Sequence, residues 1–152
     1  VMRVAPVALC RDLMDMPMSF VTTLGGAVAE VTHQHPLGFM PAALMTDLLR
    51  RVMDSECEND KENLKACVAA ATEAVRKLYG FMYPGDWRVL KALVDKAVEL
   101  SDADLKDVEA IGQLGEGWVG EEALAIALYS ALKHYDGFED AVSPLGGFFD
   151  FW

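Results

Sequence analysis

Residues 36–52, PLGFMPAALMTDLLRRV, decide the fold class. Leu37, Met40, Leu44, Leu48 and Val52 recur at intervals of three and four, starting just after Pro36. Such spacing lines up one apolar face on a helix of 3.6 residues per turn. A strand would instead need apolar and polar residues in strict alternation with β-branched enrichment, and no run of four or more residues shows it. The expected fold is all-α, a multi-helix bundle forming one domain over residues 1–152.

Toward the C-terminus, Asp54 to Glu62 is charged and turn-like. Leu64, Val68, Ala71, Val75 and Leu78 predict the next helix, with a glycine stop near Gly80. Pro84-Gly85-Asp86 follows, and Asp86 is the expected N-cap of a helix carrying Leu90, Leu93, Val94, Ala97 and Leu100. Ser101 to Asp104 should cap another turn running through Val108. Gly112, Gly115, Gly117 and Gly120 read as a loop, and Glu121 to His134 as a last helix with Leu124, Ala127, Leu128, Ala131 and Leu132 inward. Toward the N-terminus, Met18 to Val31 carries Val21, Leu24, Val28 and Val31 at helical spacing. Gly25-Gly26 interrupts it at a cost of up to about 1 kcal/mol per glycine, which a close helix–helix contact would explain. Pro6 to Cys10 fits a short helical turn, since proline is tolerated at a helix start.

A chain of 152 residues should bury roughly 68–70% of its unfolded surface. Its hydrophobic share of 53% exceeds the usual share of about 45–50%, so either the core is well filled or apolar surface awaits a partner. Thirteen Lys and Arg against 24 Asp and Glu give a net charge of −11. With no basic cluster, binding to nucleic acid is not expected. An anionic small molecule is compatible with that charge, because helix N-termini offer backbone amides. Cys10, Cys57 and Cys67 match no zinc spacing and read as reduced structural thiols, placing the chain in the cytoplasm. No stretch approaches about 18 apolar residues, so no membrane span is expected. The first residue, Val1, suggests a chain that begins inside a longer gene product.

Three stretches, in order, carry a family resemblance: Val1-Met2-Arg3-Val4-Ala5-Pro6, then Val31-Thr32-His33-Gln34-His35-Pro36-Leu37-Gly38, then residues 114–129, LGEGWVGEEALAIALY. Together they resemble the C-terminal portion of ADP-ribosylglycohydrolases of the dinitrogenase-reductase-activating kind. The resemblance implies a partial version of that helical fold and a parent reaction that hydrolyses the glycosidic bond of ADP-ribosyl groups. It also implies a pair of Mg²⁺ ions held by aspartates, hard oxygen donors suited to that cation. One family set of aspartates lies upstream of the first stretch. The other, Gly-Asp-x-Asp-[Ser/Thr], would fall in Ala141 to Trp152, where Phe148-Phe149 stands in place of acidic residues and Asp150 is a lone carboxylate. No metal ligand and no cofactor are therefore expected in this chain, magnesium being the parent family's. The catalytic residues are left unassigned.

By resemblance His33 contacts the bound nucleotide sugar; the alternative is a half-buried histidine at a helix end, hydrogen-bonded to backbone. Gly115, Gly117 and Trp118 resemble the loop at the adenosine end, where an aromatic ring stacks on the base. Their alternative is a loop leading into a helix, with Trp118 a core anchor. His35 forms His-x-His with His33 but lacks further ligands for zinc. Glu121 and Glu122 read as carboxylates favoured by the helix dipole. Asp102 and Asp104 lack the remainder of a calcium loop. Met14, Met16, Met18, Met40, Met45 and Met53 should fill gaps in the core. Ser130 and Ser143 lack a nucleophile-elbow context.

The expected function is thus that of an ADP-ribosylglycohydrolase-family protein, a fragment inactive by itself. The alternative is a non-catalytic helical interaction or ligand-binding module derived from the family. Expected partners are an ADP-ribose-type ligand and a second copy of the chain, held through exposed apolar faces and the Phe148 to Trp152 end. Nucleic acid and membrane are not expected.

Overall fold

The computed structural model describes residues 1–55, 60–137 and 139–143, and every regular element among them is helical. A 3-10 turn at Met2–Val4 leads into α1 (Ala5–Leu9), and a second at Arg11–Leu13 precedes α2 (Met18–Glu30). The longer helices are α3 (Pro36–Asp54), α4 (Lys61–Tyr79) and α5 (Pro84–Asp102), followed by α6 (Asp107–Leu114) and α7 (Gly120–Lys133). The all-α reading holds. No helix among the described residues is long and apolar enough to cross a membrane.

The deciding stretch forms the hub, for α3 packs against α1, α2, α4, α5 and α7. His35 caps it, its Nδ1 accepting from the Leu37 N–H at 3.2 Å, and Pro36 occupies the first helical position. The buried face is wider than the stripe that predicted it. Phe39, Met40, Ala42, Ala43, Leu44, Thr46, Asp47, Leu48 and Arg50 are all buried, whereas Leu37 is half-buried and Val52 is exposed. A helix surrounded by neighbours needs apolar or satisfied residues on nearly every side.

The face of α2 on α3 is made of small residues: Val21, Thr22, Gly25, Gly26 and Ala29 are buried, while Val31 is 80% exposed. A Cβ on Gly25 would overlap the Thr46 side chain, and one on Gly26 would stand 2.6 Å from the Tyr79 hydroxyl. The glycine pair does mark a close helix–helix contact.

Several expected boundaries move. Lys61 opens α4 because Asp60 caps it, accepting from the Asn63 N–H at 2.6 Å. Gly80 follows α4 in right-handed conformation, φ −61°, so it is no left-handed stop. Its value there is steric, since a Cβ would lie 2.6 Å from the Arg76 carbonyl oxygen. Asp86 caps nothing; Pro84, with its φ already fixed near helical values, starts α5 and leaves Asp86 within the first turn. Ser101 and Asp102 end α5 rather than opening a new turn, and Asp102 pairs with Lys61 at 2.7 Å and Lys65 at 3.0 Å. Helix α6 buries Ala110, Ile111 and Leu114 and absorbs Gly112, while Gly120 is the first residue of α7.

On α7, Leu124, Leu128 and Leu132 are buried as expected. Ala125, Ile126 and Tyr129 are buried too, because α5, α3 and α6 meet the helix from different sides. Met40 is fully buried and Met45 packs against the core, but Met14, Met16 and Met53 are 38%, 47% and 46% exposed. The first two lie in the connection before α2 and the third in the last turn of α3, beyond the reach of the core. Cys67 is buried and Cys10 half-buried. Cys57 lies outside the described residues, as do Phe148 to Trp152.

Candidate functional site

Two hydrogen-bond partners of Thr32 tie the first quoted stretch to the second. Arg3 Nη2 donates to Thr32 Oγ1 at 2.5 Å, and that oxygen lies 2.8 Å from His33 Nδ1. The Thr32 hydroxyl also donates to the Ala29 carbonyl oxygen at 3.3 Å, anchoring the pair to the end of α2. His33 is exposed, and its bonded partner is a side chain. That departs from the alternative of a half-buried histidine held by backbone.

The second stretch meets the third at the starts of α3 and α7. Pro41 lies inside α3 and has no N–H, so the Leu37 carbonyl lacks its in-helix donor. Gly120 sits against that oxygen, where a Cβ would come within 3.0 Å of it. A side chain there would require the start of α7 to shift by a few tenths of an ångström from α3.

The start of α5 joins them. His35 Nε2 lies 3.9 Å from Asp86 Oδ1. Glu121 stands close enough to feel His35, Asp86 and Glu122. Its carboxyl is held above the ordinary range chiefly by burial, and the neighbouring Glu122 and Asp86 carboxylates add to the shift. Its own backbone N–H and His35 pull the other way without prevailing. Burial thus outweighs the backbone N–H at this helix start in setting the direction of the shift.

Gly115 and Gly117 have φ of +124° and +77°, the left-handed region that favours glycine. They shape a loop on which Trp118 is 67% exposed, so Trp118 is no core anchor. Inside the loop, Glu122 Oε2 accepts from the backbone N–H of both Glu116 and Gly117, each at 3.1 Å. Of the residues singled out in the sequence, the structure thus presents His33 and Trp118 to solvent on segments whose neighbours touch. Arg3, Thr32 and Glu122 complete the arrangement. All three stand in the quoted stretches, but nothing in their spacing announced the Arg3–Thr32–His33 chain.

Other clusters offer less chemistry. A groove of about 400 Å³ between α4 and α5 is floored by Val68, Val94 and Val98 beside Trp87. The cations on its rim are already paired: Arg76 with Glu73 at 2.6 Å, Lys91 with Asp95 at 2.5 Å and Lys65 with Asp102. Asp107 accepts from the Tyr129 hydroxyl at 2.6 Å and lies 3.2 Å from His134 Nε2, fixing α6 against α7. Among the described residues, buried Ser130 Oγ has no hydrogen-bond partner, and no base there stands ready to activate it.

A family model described as ADP-ribosylglycohydrolase matches residues 1–145. The chain belongs to the ADP-ribosylglycohydrolase family. No curated protein and no solved structure matches it.

Family membership raises the question of magnesium. Among the described residues no three of His, Cys, Asp or Glu come together in a way that could hold a metal ion. His35, Asp86 and Glu121 approach one another, but they supply one imidazole and only two carboxylates. These residues do not fit an Mg²⁺ pair, which needs ionised oxygen donors around each ion. Asp150 lies outside the described residues.

Proposed function

We propose that this chain carries the nucleotide-sugar side of an ADP-ribosylglycohydrolase and binds an ADP-ribose-type ligand where its three family segments meet. The observation behind the reading is the double junction of Arg3–Thr32–His33 and Leu37–Gly120, which gathers residues far apart in sequence. Arg3 supplies donors for phosphate or ribose oxygens, the His33 imidazole adds a polar edge beside it, and exposed Trp118 supplies a face for adenine. Gly115 and Gly117 let backbone approach the ligand closely. The parent reaction is hydrolysis of an ADP-ribosyl glycosidic bond, in which magnesium would polarise the reacting groups. This chain's part is to bind and orient. On this reading the chain does not complete that reaction by itself.

That donor set also favours a second reading, a ligand-binding or interaction module kept without catalysis. Both readings place the chain in the cytoplasm, in keeping with its cysteine usage. Both also allow pairing with a second copy through exposed apolar side chains such as Phe20, Val31, Phe81 and Met82.

Calorimetric titration with ADP-ribose, with and without Mg²⁺, tests the proposal. Binding in the absence of metal, weakened at least about tenfold in His33→Ala and Trp118→Ala, is the expected result, a tenfold change being about 1.4 kcal/mol. Absence of any binding would remove the nucleotide-sugar reading. Mg²⁺-dependent release of ADP-ribose from a modified substrate would remove the claim of inactivity.

A further inference from the structure

One side chain holds the Gly115 to Trp118 loop from within. Glu122 is the third residue of α7, and its carboxylate reaches back past Val119 to the amides of Glu116 and Gly117. A single oxygen, Oε2, takes both bonds. The remainder of the side chain fills the space beside Gly115, where a Cβ would overlap Cγ, Cδ and Oε1 of Glu122. Two residues with positive φ within three positions leave the loop many conformations unless something selects one. A carboxylate accepting from two amides is a charge-assisted restraint, stronger than a neutral hydrogen bond.

We infer that Glu122 is a positioning residue: without touching the ligand, it sets the loop that carries Trp118 and so sets the affinity for the nucleotide sugar. The inference rests on the ADP-ribose reading above. It extends that reading to a residue that works by pre-organisation, since a loop already in its bound form loses less freedom when ligand arrives. Glu122 is no plug waiting to be displaced, because its Cγ and Cδ are lodged beside Gly115 and its removal would leave that side of the loop unsupported.

The test uses the full chain with Glu122→Ala and Glu122→Gln. Three quantities are measured: ADP-ribose affinity by calorimetry, hydrogen exchange of the Glu116 and Gly117 amides by NMR, and melting temperature. Glu122→Ala should weaken binding about tenfold or more and speed exchange at those two amides by at least a similar factor. Because one oxygen takes both bonds, Glu122→Gln should recover most of the affinity and the protection. If the parent chain binds and Glu122→Ala binds equally well, or its two amides stay protected, the inference fails while the ADP-ribose reading stands. If Glu122→Gln is as weak as Glu122→Ala despite restored protection, positioning is again refuted. A parent chain that binds no ADP-ribose refutes the reading and the inference together.

Discussion

Gly38 keeps open the space that His33 occupies: a Cβ on Gly38 would stand 2.7 Å from the His33 Cβ and 3.1 Å from its carbonyl oxygen. The glycine lies in the first turn of α3, and the histidine lies in the connection that leads to it. Gly38→Ala should therefore push the Thr32-His33 segment outward, although alanine suits the helix better by up to about 1 kcal/mol. The expected outcome is a melting temperature little changed and ADP-ribose binding weakened about tenfold, or about 1.4 kcal/mol. Calorimetry and thermal denaturation on the same sample check both halves.

At the α2–α3 contact the same substitution should act on stability. Gly25→Ala drives a Cβ into the Thr46 side chain, which is buried and donates to the Ala42 carbonyl at 2.9 Å. Overpacking of this kind costs about 1–3 kcal/mol, more than helix propensity returns. Adding Thr46→Ala removes the obstructing hydroxyl and methyl and should restore part of the loss. Denaturant unfolding of the two single variants and the double variant measures the coupling; strict additivity would contradict this account.

These two contacts show how far the sequence could be read. The period of Leu37, Met40, Leu44 and Leu48 identified the hub helix, because a core-facing stripe is a local property of the chain. The glycine pair announced a close approach but not its partner, since Thr46 and Tyr79 reach Gly25 and Gly26 only through tertiary packing. Helix ends were read less well. Asp86 has the chemistry of a cap, yet Pro84 begins α5 two residues earlier, and Gly112 lies inside α6 where a loop was expected. For the candidate site, His33 and Trp118 stood out through resemblance. Arg3, Thr32 and Glu122 act through distances that no spacing encodes.

A buried carboxylate gives a third test. Asp47 is fully buried, its Oδ2 lies 2.6 Å from Thr22 Oγ1, and its Oδ1 accepts from the Arg51 guanidinium. Asp47→Ala would leave the guanidinium without its buried acceptor and open a void between α2 and α3. The expected loss is about 1.5–3 kcal/mol, the range for losing a hydrogen bond to a charged group. Asp47→Asn keeps an acceptor for the arginine and should lose less. Comparing the two by denaturant unfolding separates the hydrogen bonds from the charge, and equal losses would point to the charge.

Charge also sets the expected response to pH. Burial raises the Glu121 carboxyl above its unfolded value, so the folded chain holds this proton more firmly than the unfolded chain does. Stability from this group is then highest when it is protonated and falls as pH rises through the carboxylate range. Glu121→Gln removes that penalty, and its melting temperature should exceed the parent's at pH 7. The advantage should shrink on acidification and vanish near the unfolded glutamate value of about 4.3. Glu73 behaves oppositely, for Arg76 holds its carboxyl below the ordinary range. Its contribution is present at neutral pH and lost as pH falls through the lowered value, so Glu73→Gln should lower the melting temperature at pH 7 and matter least in acid. Melting curves of both variants from pH 3 to 7 would show difference plots of opposite sign, and a Glu121→Gln plot that stays flat would mean that burial does not penalise this carboxylate.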